Sequence, residues 1–181
     1  FKKKNLHLVK TAKKFTEDSL KIKNCPTETT LVIDEKKREF VKKHLNPSKK
    51  NIILGVGSSG PTTKWGTANY INLIKQIQKK HSCFFFILGG LNEKNMLEKI
   101  VNEVGVNSSK SLANVSIKEL IPLIAESDMY IGNDSFGHHV SCQCGKPSVV
   151  LLLDTPSAYS DYSVNQHQIL PKDVSIQDIS H

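Results

Sequence analysis

The sequence predicts an α/β fold, a Rossmann-like, doubly wound parallel sheet, and three observations carry that prediction. Short apolar runs fall near residues 51–55, 83–88, 128–132 and 148–153, each long enough only for a buried strand. Between them lie stretches of helical periodicity, the alternation that builds parallel sheets with helices on both faces. Several of the runs also end in a turn of Gly, Asn, Asp or Ser, the residue types that close a strand and open a helix. At 181 residues the chain suits one domain with a sizeable core.

From the amino end, Leu6, Val9, Ala12 and Phe15 recur at a spacing of three and predict a helix over 6–20, which Asn24-Cys25-Pro26 breaks. Thr29–Ile33 is β-branched and reads as a strand. Asp34–Leu45 reads as a charged helix with Phe40, Val41 and Leu45 turned inward, closed by Asn46-Pro47. Residues 1–48 thus form a basic segment ahead of 49–181. The net charge of +8 sits in the first part: residues 1–50 hold 15 Lys and Arg against 6 Asp and Glu, and 51–181 hold 10 against 11. Without a zinc finger or an aromatic-interleaved basic strand, that charge argues for solvated helix faces rather than nucleic acid. Peripheral contact with an anionic membrane stays open.

Four cysteines without a regular framework point to a reducing compartment. Cys142 and Cys144 stand two apart on a helix and face nearly opposite ways, so they read as buried thiols rather than a chelating pair. No apolar run is long enough for a membrane helix, and no signal-peptide pattern is visible. The chain opens on Phe1 rather than Met, so its natural start is expected upstream.

The strand Asn51–Gly55 runs into Val56-Gly57-Ser58-Ser59-Gly60-Pro61-Thr62-Thr63-Lys64-Trp65-Gly66. A loop rich in glycine and hydroxyls suits a phosphate or a sugar, because backbone N–H groups can approach it. It is not a P-loop, which requires Gly-Lys-Ser/Thr. Trp65 is assigned to helix–sheet packing. Thr67 is expected to cap a helix whose Tyr70, Ile71, Ile74 and Ile77 face the sheet. After Cys83–Leu88, Gly89-Gly90-Leu91-Asn92-Glu93 turns into a helix carrying Met96, Leu97, Ile100, Val101 and Val104. Glu93 has two readings: it favours the helix dipole, or it accepts from ribose hydroxyls. Ser116-Ile-Lys-Glu119 is a capping box, and Pro122 is expected to kink or shorten the helix that follows. Tyr159–His181 shows little periodicity and no chemistry.

The stretch Asp128–Leu153 organises the rest. It reads as strand, polar turn, short helix, strand, with Asp134 or Ser135 as N-cap and the helix ending at Gly145 before Pro147. Free N–H groups at that helix start favour an anion, most often phosphate. His139 lies about one turn in, and helical side chains tilt toward the amino end, so its ring reaches the same anion. Adjacent helical residues diverge by about 100°, so His138 is expected to point elsewhere.

Gly132-Asn-Asp-Ser-Phe-Gly-His-His-Val-Ser141, followed by Gly145-Lys-Pro147 and an apolar strand, resembles the nucleotide-sugar-binding signature of the heptosyltransferase-like glycosyltransferases, glycosyltransferase family 9 of GT-B type. Gly132, Asp134, Ser135, His139, Val140 and Ser141 match the pattern. Phe136 stands where a glycine is usual, with Gly137 one place later. Lys64-Trp65-Gly66 resembles the family's lysine–tryptophan loop with the lysine displaced by one. Glu93 matches an acidic position, and the likeness extends over roughly 6–170.

The resemblance implies that the chain is a linker plus the C-terminal, donor-binding half of a GT-B enzyme. The acceptor domain would be absent from this chain, and 49–181 would be the nucleotide-sugar-binding domain. It assigns Ser58, Ser59, Thr62, Thr63, Lys64, Glu93, Asp134, Ser135, Phe136, Gly137 and His139 to the donor, with Lys64 as diphosphate counter-charge. The donor implied is a nucleoside-diphosphate sugar, ADP-heptose-like, and the acceptor a lipid-linked, lipopolysaccharide-type glycan. The place implied is the bacterial cytoplasm, including the periphery of the inner membrane. A helix start, a lysine and hydroxyls aimed at the departing diphosphate stabilise it electrostatically, so neither metal nor cofactor is expected, and no Asp/His/Cys cluster suggests one. The base that deprotonates the acceptor would lie in the other half, so this chain is expected to bind donor without turnover. Two alternatives remain: another GT-B nucleotide-sugar enzyme such as an epimerase, and a non-catalytic nucleotide-binding module.

Overall fold

The computed structural model describes residues 8–27, 30–60, 62–155, 160 and 163–170. Its centre is a sheet of β1 (Lys50–Gly55), β2 (Cys83–Leu88), β3 (Ser109–Ser111), β4 (Met129–Asn133), β5 (Ser148–Leu151) and β6 (Gln166–Ile169). The order is β3-β2-β1-β4-β5-β6, and every neighbouring pair is parallel. The chain starts in the middle, winds outward through β2 and β3, then returns beside β1 and winds outward the other way. The reversal lies between β1 and β4. There the connections leave toward opposite faces, which opens a crevice at the carboxyl ends of the strands.

Successive strand side chains point to opposite faces, so a nearly all-apolar strand must be covered twice. Ile52 and Leu54 of β1 pack with Tyr70, Ile71 and Ile74 of α3 (Thr67–Gln78) and with Leu97, Ile100 and Val101 of α4 (Lys94–Val104). Ile53 packs on the other face with Leu120, Leu123 and Ile124 of α5 (Ile117–Glu126), Val140 of α6 (Phe136–Gln143) and Val41 of α2 (Glu35–Lys42). Each such burial stabilises the fold by about 1.5–3 kcal/mol. The four interior strands and the helices between them therefore form where the periodicity places them.

Other expectations need correction. The two edge strands, β3 and β6, lie outside the sequence expectations: residues 109–111 carry no strand signal, and β6 falls within Tyr159–His181, where little periodicity shows. Both are short and polar, because an edge strand has fewer neighbours and no need of an apolar run. Residues 30–34 form no strand, and Val32 is 97% exposed: β-branched composition makes no strand without a sheet to join. Thr29 lies outside the described residues. The first helix, α1 (Leu8–Leu20), forms, yet buries no residue; Leu6 lies outside the described residues. Phe40 faces solvent, 53% exposed, with its ring edge-on to His44, while Val41 takes the inward position. Gly66, at φ +98, precedes α3 as its N-cap in place of Thr67, since that backbone conformation favours glycine.

Glu119 accepts from the Ser116 N–H (3.2 Å) and hydroxyl (2.7 Å), as the capping pattern suggested. The helix behind it, α5, runs through Pro122 without interruption, the lost N–H bond being offset by the burial of Pro122, Leu123 and Ile124.

Candidate functional site

The crevice between β1 and β4 is held by one side chain that the sequence reading left unassigned. Asn133, fully buried at the end of β4, donates from Nδ2 to the Val56 carbonyl (2.8 Å). Its Oδ1 accepts from the Tyr70 hydroxyl (2.8 Å) and the Trp65 N–H (3.2 Å). Its backbone carbonyl accepts from the Tyr130 hydroxyl (2.7 Å), and that oxygen lies 3.3 Å from Ser135 Oγ. A hydroxyl with its proton committed to Asn133 accepts from Ser135. The hydroxyl-rich loop after β1 and the turn before α6 are thus bonded to each other. Asn133 occupies the variable position of the matched signature, and asparagine at a strand end reads as an ordinary turn residue; no local signal marks it.

Trp65 packs on the core and meets the Tyr70 ring edge-on at 5.1 Å, as its packing assignment required. In the same loop Ser58 and Thr63 share a short hydroxyl–hydroxyl bond, and Thr63 also donates to the Gly60 carbonyl (3.0 Å). Thr62 donates to Asp154 after β5 (2.6 Å), so the loop spans the carboxyl ends from β1 to β5. Ser59 is exposed. Lys64 Nζ lies 2.7 Å from Glu93 Oε1.

Glu93 closes a 3-10 turn (Leu91–Glu93) ahead of α4, and its carboxylate also accepts from the Ser58 N–H (3.2 Å) and the Gly90 N–H (2.8 Å). Burial pushes its pKa up, but Lys64 and these two N–H groups outweigh burial and hold it below the ordinary value. Glu93 therefore anchors both glycine turns, a task neither sequence reading named.

The start of α6 has a different character. Ser135 is the N-cap, in extended conformation, and its side chain makes no capping bond. First-turn N–H groups have no intrahelical acceptor, so those of Phe136 and Gly137 remain available to an anion. Gly137 is buried because a Cβ there would collide with Leu88 and Tyr130. Its small size brings α6 down onto the sheet and leaves its N–H as the group it can offer. The Phe136 side chain is 40% exposed.

His138 and His139 diverge as expected, His138 turning inward and His139 outward, although both come within reach of Asp134. The His138 ring is fully buried, with Nδ1 2.9 Å from Asp134 Oδ1. The His139 side chain is 45% exposed, with Nε2 3.6 Å from the same oxygen. Asp134 precedes the helix, and that places both imidazoles within its reach. Burial lowers the His138 pKa, and the bond and charge of Asp134, with Cys142 adding, push it up to about 9. For Asp134, burial acts upward and the His138 bond and charge prevail, leaving it low. His139 is held below the ordinary imidazole value by burial and by repulsion from His138.

The expectation that no Asp/His/Cys cluster exists is likewise corrected. Asp134, His138 and His139 offer ligand atoms within 4.8 Å of one another, although the His138–Asp134 bond engages two of the three. Cys142 is buried and Cys144 half-buried, both free thiols. A separate cavity of about 500 Å³, lined by Lys49, Lys79, Lys80, His81 and Cys83, opens at the opposite, amino ends of β1 and β2. It shares no residue with the crevice. Among the described residues no helix is long and apolar enough to cross a membrane.

A doubly wound sheet with a hydroxyl-rich loop and a helix start meeting at its switch point defines a Rossmann-like α/β protein. The comparisons narrow the class. The model of glycosyltransferase family 9 (heptosyltransferase) matches residues 1–175, and the chain belongs to that family. Lipopolysaccharide heptosyltransferase 1 of Campylobacter coli is 29% identical over 160 residues, 85% of this chain and 47% of that protein. The family 9 glycosyl transferase of Veillonella parvula superposes with a TM-score of 0.75 at 18% identity, over 94% of this chain and 51% of that one. Escherichia coli heptosyltransferase WaaC, solved with ADP-2-deoxy-2-fluoro heptose, gives 0.68 at 14% identity, over 92% and 50%. The chain spans about half the length of these relatives.

Proposed function

We propose that this chain is the donor-binding half of a heptosyltransferase, taking a nucleoside-diphosphate sugar of the ADP-heptose kind for transfer to a lipopolysaccharide-type acceptor. The observation that carries this reading is the juxtaposition at the switch point. Through Asn133, the loop bearing Ser58, Ser59, Thr62, Thr63 and Lys64 is bonded to the turn that opens α6, beside the half-exposed His139. In the transfer the bond from the anomeric carbon to the diphosphate breaks, and the acceptor oxygen bonds that carbon. The diphosphate leaves with the electron pair. On this reading the N–H groups of Phe136 and Gly137, His139 and Lys64 stabilise the growing charge.

The acceptor proton goes to a base outside this chain, so the chain by itself binds donor without transferring sugar. Family membership supports the reaction class, and ADP-bound relatives such as the Escherichia coli WaaC structure solved with ADP support the nucleotide. The test is a calorimetric titration of the purified chain with ADP, UDP and dTDP. Binding of ADP above the others, with no transfer from ADP-heptose, is expected. Absence of binding to all three would defeat the reading.

A further inference from the structure

Asp134 poses a charge problem. It lies at the start of α6, where the diphosphate is proposed to sit, and a carboxylate there repels a diphosphate. Its pKa is lowered, so it is ionised at neutral pH. The Ser160 hydroxyl bonds to it without carrying a charge, so compensation falls to the charged or titratable groups that face it. Asp134 Oδ1 is 2.9 Å from His138 Nδ1 and 3.6 Å from His139 Nε2, and the His139 pKa is lowered. Lys64, the lysine of the partner loop, is paired with Glu93 at 2.7 Å rather than with Asp134.

His138 itself is enclosed on every side. Tyr130 of β4 lies with its ring centroid 6.1 Å away and His139 at 5.2 Å, while Cys142 stands one turn along α6. Of these neighbours only Asp134 is a carboxylate. A buried imidazole without such a partner would be neutral.

We infer that His138 is a positioning residue for the donor diphosphate: as a buried cation it neutralises Asp134 and fixes its carboxylate, so that the start of α6 presents net positive character to the ligand. This rests on the donor-site reading above. Asp134 is then an organiser of the turn whose charge is cancelled from inside the protein, which leaves the N–H groups and His139 to act outward. The position is variable in the matched signature, so the compensation belongs to this chain's own sequence. A merely structural pair would also be buried and bonded. The two differ in that a structural pair leaves the ligand's affinity indifferent to the imidazole's charge.

The test is titration of the whole chain with ADP as probe, for the natural sequence, His138→Gln, Asp134→Asn and the double variant. His138→Gln keeps a hydrogen-bond donor and removes the charge, and is expected to weaken ADP roughly tenfold at about pH 7.5. The double variant has no unpaired carboxylate and is expected to bind ADP more tightly than His138→Gln. The natural chain is expected to lose ADP affinity as pH rises toward and past about 9, where the His138 proton leaves, a decline that His138→Gln lacks.

His138→Gln binding ADP as the natural chain does, or a double variant no tighter than His138→Gln, would overturn the inference. If His138→Gln fails to fold, the profile of the natural chain decides: a flat affinity through about pH 9.5 overturns it. A natural chain that does not bind ADP at all defeats the donor-site reading instead, so the two failures are distinguishable.

Discussion

The two halves of the crevice are mirror images in charge. After β1 the pair is Lys64 held by Glu93, a cation near the surface restrained by a carboxylate. At the start of α6 the pair is Asp134 held by His138, a carboxylate restrained by a buried cation. Their side-chain exposures differ in the direction that matters: 33% and 15% for the first pair, 11% and 0% for Asp134 and His138. A partly exposed lysine on a flexible stem exchanges partners at little cost, whereas a fully enclosed imidazole cannot leave its carboxylate without stranding a charge. On the proposed reading, Lys64 is therefore the group to move from Glu93 to a diphosphate, and His138 the one to stay. In that reading one pair is a latch and the other a fixed part of the frame.

The sharpest way to break the comparison is to remove what joins its two halves. Asn133→Leu strands the Val56 carbonyl, the Tyr70 hydroxyl and the Trp65 N–H, and is expected to cost roughly 3–5 kcal/mol in urea unfolding. A loss below about 1 kcal/mol would show that the two loops stand independently.

Next in size is the buried pair itself. His138→Gln is expected to destabilise the fold by roughly 3 kcal/mol near pH 6. The sign follows from the direction of each pKa. His138, raised to about 9, contributes fully below its ordinary value of about 6.5 and loses that contribution as pH climbs through the folded value. Asp134, lowered, contributes above about 3.9 and loses it as pH falls. The natural chain should thus be most helped by the pair between about pH 4 and 6.5, with stability declining toward pH 9. The variant should lack that decline, and an equal slope in both proteins would mean that other groups produce it.

A smaller effect on stability and a larger one on ligand is expected at His139. His139→Ala should weaken ADP by about 1–3 kcal/mol while the melting temperature stays nearly constant. A variant that binds normally but melts early would return His139 to the core.

The Lys64–Glu93 pair should likewise matter little to stability. Lys64→Met should alter unfolding by under about 1 kcal/mol, because the pair is partly exposed and screened. The same variant should weaken ADP and flatten the salt dependence of its binding. An unchanged salt dependence would argue that Lys64 never leaves Glu93.

Set against these sites, the legibility of the sequence divides along physical lines. The interior strands β1, β2, β4 and β5 were readable because strands covered on both faces must be apolar throughout. Helices α3, α4 and α5 were readable because burial on one side imposes a helical period. The end of α6 at Gly145, which adopts φ +68, was readable for the same local reason. These signals lie within a few residues of one another.

What escaped depends on partners far away in the chain. The polar edge strands β3 and β6 exist only because β2 and β5 offer them a place, and Phe40 turned outward because Val41 met α5. Asn133 is indistinguishable from a turn residue until Val56, Trp65 and Tyr70 close around it, and Glu93 until Ser58 and Lys64 arrive. His138 is a case between the two. Its spacing of four from Asp134 was visible in the sequence, but whether it faces solvent or core was not. Only the packing of Gly137 against Leu88 and Tyr130 turned that ring inward and made the pair a buried one, because the depth of a helix on its sheet is set by contacts that no local pattern encodes.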